Sequence, residues 1–304
     1  GRNAIARYST EPPYAYIVPQ VQRDPGAAVA LLKRLAFLGV RVTELSRDAT
    51  HGGARYAKGA WVIPMNQEYS ELVRQLFDVQ SYPDLRGDDG APEPPYDAAG
   101  WTLPYQMDLR VIEARVPLSA DFLSAMQAVQ GKGTDAASAD APLSTNAMAA
   151  GIVPPPARIT GTGPALVVDP AQNDAFRLIN RALASGGTVH VEGGRYVVSG
   201  VATAKLEGWA NELSLRAERR AGADAASAQV RGRVAVYKSL APSMDEGWTE
   251  WLLDQHEFKY TVITNADFQA GDLNSRFDVI IFASDRARTL RDGFTKGRVP
   301  PTIE

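Results

Sequence analysis

The fold class is indicated by one stretch of the sequence, AYIVPQVQRDPGAAVALLKRLAFLGVRVTEL from Ala15 to Leu45. This stretch contains one complete pattern of strand, helix and strand. Four apolar residues, AYIV, are followed by a polar break, by a helical run that ends at Gly39, and by the run VRVTEL. Apolar residues at helical spacing predict a helix with one buried face. A short run without polar residues is typical of a strand that is buried on both faces.

The same pattern occurs twice more along the chain. In the second copy ALVV begins at Ala165, a helical run ends at Gly187 and TVHVE begins at Thr188. The two strands begin 25 residues apart in the first copy and 23 residues apart in the second. A looser third copy begins with RVAVY at Arg233, and the apolar run FDVIIFAS follows it. Three such units predict an α/β protein with parallel or mixed sheets, and we expect the two strands of each copy to pair in parallel.

A pair of glycines follows the second strand in both of the clear copies. Gly52 and Gly53 stand in GGARY, and Gly193 and Gly194 stand in GGRY. Glycine adopts positive φ without steric cost, so these pairs predict tight hairpins. A phosphate-binding loop would need GxGxxG or GxxxxGK[ST], and neither pattern occurs in the sequence.

The length of 304 residues predicts about two domains. The segment from Gly131 to Pro164 is rich in Ala, Ser, Thr, Gly and Pro and has no aromatic residue, which predicts a flexible linker. We therefore expect a first α/β unit with its following loop over residues 1–130 and a second α/β region over 165–304. The third unit, residues 233–304, is expected to be truncated, and both ends of the chain suggest a piece of a longer protein.

Composition argues against several classes of function. There are 32 basic and 35 acidic residues, a net charge of -3, which gives no general attraction to nucleic acid. No apolar run approaches the roughly 18 residues of a membrane span. The chain has no cysteine, which excludes disulfide bonds, thiolate metal sites and a cysteine nucleophile.

Candidate catalytic and metal-binding residues are few. His51, His190 and His256 show none of the spacings HxxE, HxxxH or HExxH that bring zinc ligands together, so we predict no metal ligand in this chain. Ser239 and Ser243 follow the strand of the third copy, but a serine nucleophile needs a nearby histidine base. We accordingly assign no catalytic, cofactor-binding or metal-binding residue.

Carboxylates stand where ligands commonly bind in parallel sheets, beyond the carboxyl ends of strands. They are Asp24, Asp169, Asp174, Asp245 and Glu246. An acidic pair there could act in acid–base chemistry or hold a divalent cation. Helix capping is the favoured interpretation, because Asp before Pro, as at Asp24, is typical of a helix start.

Two tryptophans and a leucine lie on one face of the third predicted helix. Trp248, Trp251 and Leu252 are spaced three and four residues apart, which indicates a common helix face. Such a face usually packs into the core, and we expect that here. A platform on which sugars stack is the alternative.

Three strings of the sequence resemble one known family. They are GARYAKGAWVIP at 53–64, PEPPYDAAGWTLP at 92–104 and VAVYKSLAPSMDEGWTEWLL at 234–253. Together they resemble the region that follows the catalytic domain in large bacterial zinc carboxypeptidases of the carboxypeptidase A-like family. In that family this region contains units that look like class I glutamine amidotransferases, which implies a flavodoxin-like fold in the C-terminal part. The family's HxxE zinc motif has no counterpart here, so no catalytic residue carries over.

The resemblance implies a periplasmic or extracellular protein that acts on peptides, with zinc held upstream of Gly1 by a peptidase domain of the same chain. The segment itself would be a non-catalytic accessory region without a cofactor, in contact with peptide or cell-envelope substrate. The alternative is a stand-alone α/β module that binds a small molecule or sugar at the carboxyl ends of its strands. Neither interpretation involves nucleic acid or a membrane span.

Overall fold

A computed structural model describes residues 2–95, 100–129, 131, 146–241, 243–293 and 297. The chain divides into two compact units, residues 1–155 and 156–304. Both units contain helices and strands, and the protein is of the α/β class. No helix among the residues described has both the length and the apolar character needed to cross a membrane.

The first unit has a sheet of five strands covered by helices. Its described helices are α1 (Arg2–Tyr8), α2 (Pro25–Phe37), α3 (Ser70–Phe77), α4 (Leu103–Gln106), α5 (Ala120–Ala125) and α6 (Ala147–Gly151). Its described strands are β1 (Ala15–Val18), β2 (Thr43–Leu45), β3 (Ala49–His51), β4 (Ala54–Tyr56), β5 (Trp61–Pro64), β6 (Ile112–Ala114) and β7 (Met126–Ala128). The sheet order is β6-β1-β5-β2-β7 with antiparallel pairs throughout, and β3 and β4 form a separate hairpin.

The absence of polar residues from β1 is explained by burial of both faces of this sheet. Tyr16 and Val18 belong to a cluster with Leu32 of α2, whereas Ile17 belongs to a second cluster with Phe122 of α5. Because successive side chains point to opposite faces, one short strand contributes to two cores.

The second unit contains a mixed sheet and a parallel sheet. Its described helices are α7 (Ala175–Ala184), α8 (Thr203–Glu212), α9 (Met244–Gln255), α10 (Asn265–Ala270), α11 (Leu273–Arg276) and α12 (Ala287–Asp292). Its described strands are β8 (Arg158–Gly161), β9 (Ala165–Val168), β10 (Thr188–Glu192), β11 (Arg195–Ser199), β12 (Arg216–Arg220), β13 (Ala228–Gln229), β14 (Val234–Tyr237), β15 (Tyr260–Ile263) and β16 (Val279–Ile281). The orders are β13-β10-β11-β9-β12-β8 and β15-β14-β16.

The pairing within the two clear copies differs from the prediction. The strands of each copy run in the same direction, but they are not neighbours, because a later strand lies between them. This strand is β11, directly after the glycine pair, in the second copy, and β5, which follows the β3–β4 hairpin, in the first copy. In the second copy β11 pairs antiparallel with both β9 and β10. In the first copy β5 pairs antiparallel with both β1 and β2. The expected parallel pairing is therefore wrong for these copies, since the returning strand occupies the position between the two.

The hairpins themselves are confirmed. Gly52 and Gly53 have φ of 56° and 79°, and Gly193 and Gly194 have φ of 54° and 77°. Two consecutive residues at positive φ are the mark of a type I′ turn, whose twist matches that of the flanking strands. A turn of this type joins strand β3 to β4, and another joins strand β10 to β11.

The segment predicted as a flexible linker is ordered over its second half. Residues 132–145 lie outside the described part of the chain. Beyond them, α6 packs beside α2 and contributes Ala149 and, just after it, Ile152 to the core of the first unit. Strand β8 then pairs in parallel with β12 of the second unit's sheet. The small apolar side chains of this segment thus fill gaps in a core, so the prediction of a linker up to Pro164 is wrong for residues 146–161.

Candidate functional site

The third sheet brings the carboxyl ends of three parallel strands together. β14 lies between β15 and β16 and pairs in parallel with both. The chain passes from β14 through α9 to β15, and from β15 through α10 and α11 to the opposite side of β14. The strand order therefore reverses at β14, and a crevice is expected at the carboxyl ends where this reversal occurs.

A cleft of about 370 Å³ occupies this place. Tyr237 at the end of β14 and Phe282 just after β16 line it from the sheet. Asn265 and Phe268 of α10 line it on one side, and Thr289 of α12 lines it on another. This volume lies at the lower end of the roughly 300–1,000 Å³ that is typical of sites for small ligands.

Three aromatic rings form one wall of the cleft. The ring centroid of Tyr237 lies 5.6 Å from that of Phe268 and 5.4 Å from that of Phe282, and the two Phe rings are 5.9 Å apart. Edge-on and tilted arrangements of this kind are the favourable ones for aromatic side chains. The hydroxyl of Tyr237 donates a hydrogen bond to Asn265 Oδ1 at 2.6 Å, which ties the end of β14 to the start of α10.

A capping box holds α10 in position beside the cleft. The side chain of Asp267 accepts a hydrogen bond from the backbone N–H of Thr264 at 2.9 Å, and Thr264 caps the helix in return. Arg276 donates to Asp267 Oδ1 at 2.9 Å. The hydrogen bond from the Thr264 backbone and the Arg276 guanidinium together hold the pKa of the Asp267 carboxyl below its usual range. A fixed α10 means that Asn265 and Phe268 are presented to the cleft by a rigid element.

One carboxylate reaches the cleft from the segment after β16. Ser284 adopts φ of 56°, an uncommon conformation for a residue with a side chain. The next residue, Asp285, lines the cleft and forms neither a hydrogen bond nor an ion pair with any other residue of the described ranges. Gln269 of α10 also lines the cleft without a side-chain hydrogen bond to the described residues. The cleft thus presents polar groups that a ligand could bind.

A second cluster of charged residues fixes the loop after β14. The Lys238 Nζ atom lies 3.2 Å from Glu246 Oε1 and 3.3 Å from Glu250 Oε1. Glu246 Oε1 is buried without an aligned hydrogen bond, so its contact with Lys238 is an ion pair only. Glu250 and burial raise the pKa of Glu246, because two carboxylates so close together disfavour double ionisation. Lys238 therefore has its charge engaged by these two glutamates.

The predicted serines and acidic residues serve local structure. Ser243 is the N-cap of α9 and accepts a hydrogen bond from the Glu246 backbone N–H at 3.2 Å, with Asp245 in the same first turn. Ser239 borders the cleft, where its hydroxyl accepts from the backbone N–H of Ala241 at 3.3 Å. These roles agree with the capping interpretation for α9.

The remaining carboxylates also act locally. Asp24 caps α2 by accepting a hydrogen bond from the Gly26 backbone N–H at 2.9 Å. Asp169 accepts from the backbone N–H of Ala171 at 2.8 Å, and Asp174, at the N-cap position of α7, has its carboxylate 3.4 Å from Arg177. Capping by a side-chain hydrogen bond is thus confirmed for Asp24 but not for Asp174.

The three histidines lie at separate places. His51 is buried with its ring centroid 5.6 Å from that of Phe122, in the first unit. His190 Nδ1 lies 2.9 Å from the Ser227 hydroxyl, and His256 occupies the C-cap position of α9. Within the described ranges no three His, Asp or Glu side chains converge as a metal site would require.

The expectation that Trp248, Trp251 and Leu252 pack into the core is wrong. Their exposed fractions are 61%, 48% and 52%, so the apolar face of α9 points to solvent. Glu246, on the other face, is the residue of α9 that is buried. The ion pair with Lys238 explains this orientation, because it allows a carboxylate to occupy the inner face of the helix.

The sequence predicts ligand-binding residues beyond the carboxyl ends of strands, and in the third sheet a cleft lies there, but none of the predicted acidic side chains lines it. The candidates were acidic residues near the helix starts, whereas the cleft is built from Tyr237, Phe268, Phe282 and Asp285. The available signal was the end of the apolar run FDVIIFAS, where an aromatic residue and then an aspartate follow an apolar strand. In comparisons with known proteins, no family model, no curated protein and no solved structure matched the chain.

Proposed function

We propose that this chain is a ligand-binding accessory region, without a catalytic role of its own, of a secreted zinc metallocarboxypeptidase-like protein that acts on peptides in the periplasm or outside the cell. The cleft at the carboxyl ends of β14, β15 and β16 supports the binding role, because it lies where the strand order reverses and presents the polar side chains of Asp285 and Gln269, which have no partner among the described residues. The accessory role is proposed from the resemblance of the three strings quoted above.

The parallel third sheet is compatible with the glutamine amidotransferase-like, flavodoxin-like unit that the resemblance implies. Its central first strand, flanked by the second and the third, has the order expected of such a unit. The resemblance implies that zinc would be held by an upstream peptidase domain in cis. A stand-alone module that binds a small molecule or sugar would use the same cleft.

The binding role can be tested by a ligand screen with a blocked cleft. Gln269 lines the cleft from α10, whereas Gln255 is an exposed residue at the end of α9 outside it. Amide chemical-shift changes with a panel of cationic, neutral and anionic small molecules should map to the cleft in the wild-type chain. Gln269→Trp should abolish them and Gln255→Trp should leave them unchanged. Shifts that survive Gln269→Trp, or no shift with any compound, would contradict the proposal.

The accessory role makes a separate prediction about zinc. After dialysis against zinc and then buffer, the purified chain should retain less than one zinc per molecule and should release no C-terminal amino acid from peptides. Metal analysis and a peptidase assay measure this directly. One tightly held zinc per chain together with peptide hydrolysis would show that the chain is itself an enzyme.

A further inference from the structure

We propose that the cleft binds an organic cation, a small ligand that carries a primary or quaternary ammonium group; this inference rests on the binding role proposed above. The geometry that carries it is a carboxylate and an aromatic wall in one cavity. Asp285 supplies the carboxylate, and Tyr237, Phe268 and Phe282 supply the wall.

The negative charge of Asp285 is the first reason to expect a cation in the cleft. Asp285 is the one charged side chain among the described residues that line the cleft. Its carboxylate has no cationic partner within the described ranges. An unpaired carboxylate in a concave site concentrates cations and repels anions. The ligand is therefore expected to carry a positive charge where it meets Asp285.

The aromatic wall is the second argument. The face of an aromatic ring carries negative charge density, so a cation within about 6 Å of a ring centroid is attracted to it. The rings of Tyr237 and Phe268 are inclined at 85° to each other, and those of Tyr237 and Phe282 at 47°. Because the rings are not parallel, they present different orientations to the same small volume. This suits a rounded ammonium group better than a flat ring system.

Lys238, which follows the cleft residue Tyr237 in the sequence, is not available to bind an anion. Its ammonium group is engaged by Glu246 and Glu250. The start of α9 has its backbone N–H of Glu246 satisfied by the Ser243 side chain. A phosphate or carboxylate ligand would therefore meet Asp285 without a compensating cation among the described residues that line the cleft.

Amide groups give the site its orientation. Asn265 Oδ1 already accepts from the Tyr237 hydroxyl, which leaves the amide N–H groups of Asn265 as donors. Gln269 adds a second amide. An ammonium compound with a hydroxyl or carbonyl group could place its cationic end against Asp285 and its polar oxygen against these amides. Choline has this chemistry and serves as the probe.

Calorimetric titration with a charged and a neutral probe of the same shape tests the proposal. Choline and 3,3-dimethylbutan-1-ol differ by replacement of the quaternary nitrogen with carbon. We expect choline to bind the full chain about ten-fold more tightly, in keeping with a cation–π contact at partly exposed rings together with a carboxylate. The affinity for choline should also fall as salt is raised, because part of the attraction is between opposite charges.

A matched pair of variants assigns the effect to one carboxylate. Asp285→Asn keeps the shape of the side chain and should weaken choline binding about ten-fold. Asp272→Asn, at an exposed residue outside the cleft, should not change the affinity. Equal affinities for choline and its neutral analogue, with no effect of Asp285→Asn, would overturn the cation proposal. Binding of a neutral sugar or an anion in the cleft would overturn it as well and would leave the binding role intact. A cleft that binds no compound of any class would overturn both.

Discussion

Among single residues, glycine is required at positive φ for two different reasons. Gly194 has φ of 77° in a hairpin turn, and a Cβ added to it would meet no atom within 4 Å. Gly161 has φ of 75°, but a Cβ there would lie 2.5 Å from the carbonyl oxygen of Arg219. The first glycine is needed for backbone conformation alone. The second is also needed because β8 approaches β12 closely.

These two glycines make a matched pair of substitutions. Gly194→Ala should lower the free energy of unfolding by about 1 kcal/mol, the cost of a left-handed conformation with a side chain. Gly161→Ala should lower it by about 3 kcal/mol or more, because the clash with a backbone oxygen adds to that cost. Urea unfolding measures both. Equal losses would show that β8 does not lie against β12 as described.

A network of ion pairs joins the two sheets of the second unit. Arg181 of α7 donates to Glu257 Oε2 at 2.7 Å and to Glu212 at 2.9 Å. Arg177 also forms an ion pair with Glu257. The pKa of the Glu257 carboxyl is held below its usual range, first of all by the hydrogen bond with Arg181. A carboxylate with a lowered pKa in the folded state stabilises the protein above the pKa of the unfolded state. That contribution is lost as the pH falls through the folded pKa.

Acid should therefore weaken this network. Between about pH 5 and pH 3 the free energy of unfolding of the wild-type chain should fall, and this fall should be smaller in Glu257→Gln. At neutral pH the variant should be less stable than the wild type by about 1 kcal/mol, as for a partly exposed ion pair. Thermal unfolding as a function of pH measures this. Glu218→Gln serves as the control, since Glu218 and its partner Arg195 are both about half exposed, at 51% and 48%. A pH profile that Glu257→Gln leaves unaltered would contradict the network.

At the scale of elements, α9 shows how far a sequence pattern can mislead. Its Trp and Leu residues lie at helical spacing, and burial of such a face is the usual outcome. Here the helix is turned the other way, because Glu246 and Glu250 on the inner face are matched by Lys238 on the adjoining strand end. The periodicity predicted a helix correctly, but it could not show which face has a partner, since that partner lies on another element.

Substitutions on α9 should therefore cost little stability. Trp248→Ala and Trp251→Ala should each change the free energy of unfolding by no more than about 0.5 kcal/mol, as for exposed positions elsewhere. Leu178→Ala in α7, where the side chain is fully buried, should cost about 2–5 kcal/mol. Chemical denaturation of the three variants measures this difference. A loss above 2 kcal/mol for either tryptophan would place it in a core.

The strand β8 gives a second prediction at this scale. Its first residue, Arg158, is a trypsin site in a segment that the sequence alone predicts to be flexible. Arg158 donates its backbone N–H to the carbonyl of Leu215 at 3.1 Å and pairs with Arg216 of β12. Proteases cleave extended, unpaired backbone, so cutting after Arg158 should be slow. Mass spectrometry of a limited trypsin digest tests this, and early cleavage after Arg158 would show that β8 is not paired.

At the scale of the whole molecule, the α/β class and the hairpins could be predicted because they depend on short-range signals. Residues such as Gly193 and Gly194 determine a turn locally, and apolar periodicity identifies strands and helices. The insertion of β5 and β11 between the strands of each copy could not be predicted in the same way. It depends on which edges pair after the turn, a choice between long-range contacts. The same holds for the position of Asp285 in the cleft, which arises only when three strand ends meet.

We propose that the functional site lies at the carboxyl ends of β14, β15 and β16. The most direct test is a search for intermolecular nuclear Overhauser effects between the methyl groups of bound choline and aromatic protons of the chain. We expect contacts to the rings of Tyr237, Phe268 and Phe282, and loss of those contacts in Gln269→Trp. Contacts instead to the exposed rings of Trp248 and Trp251, or to aromatic residues of the first unit, would contradict it.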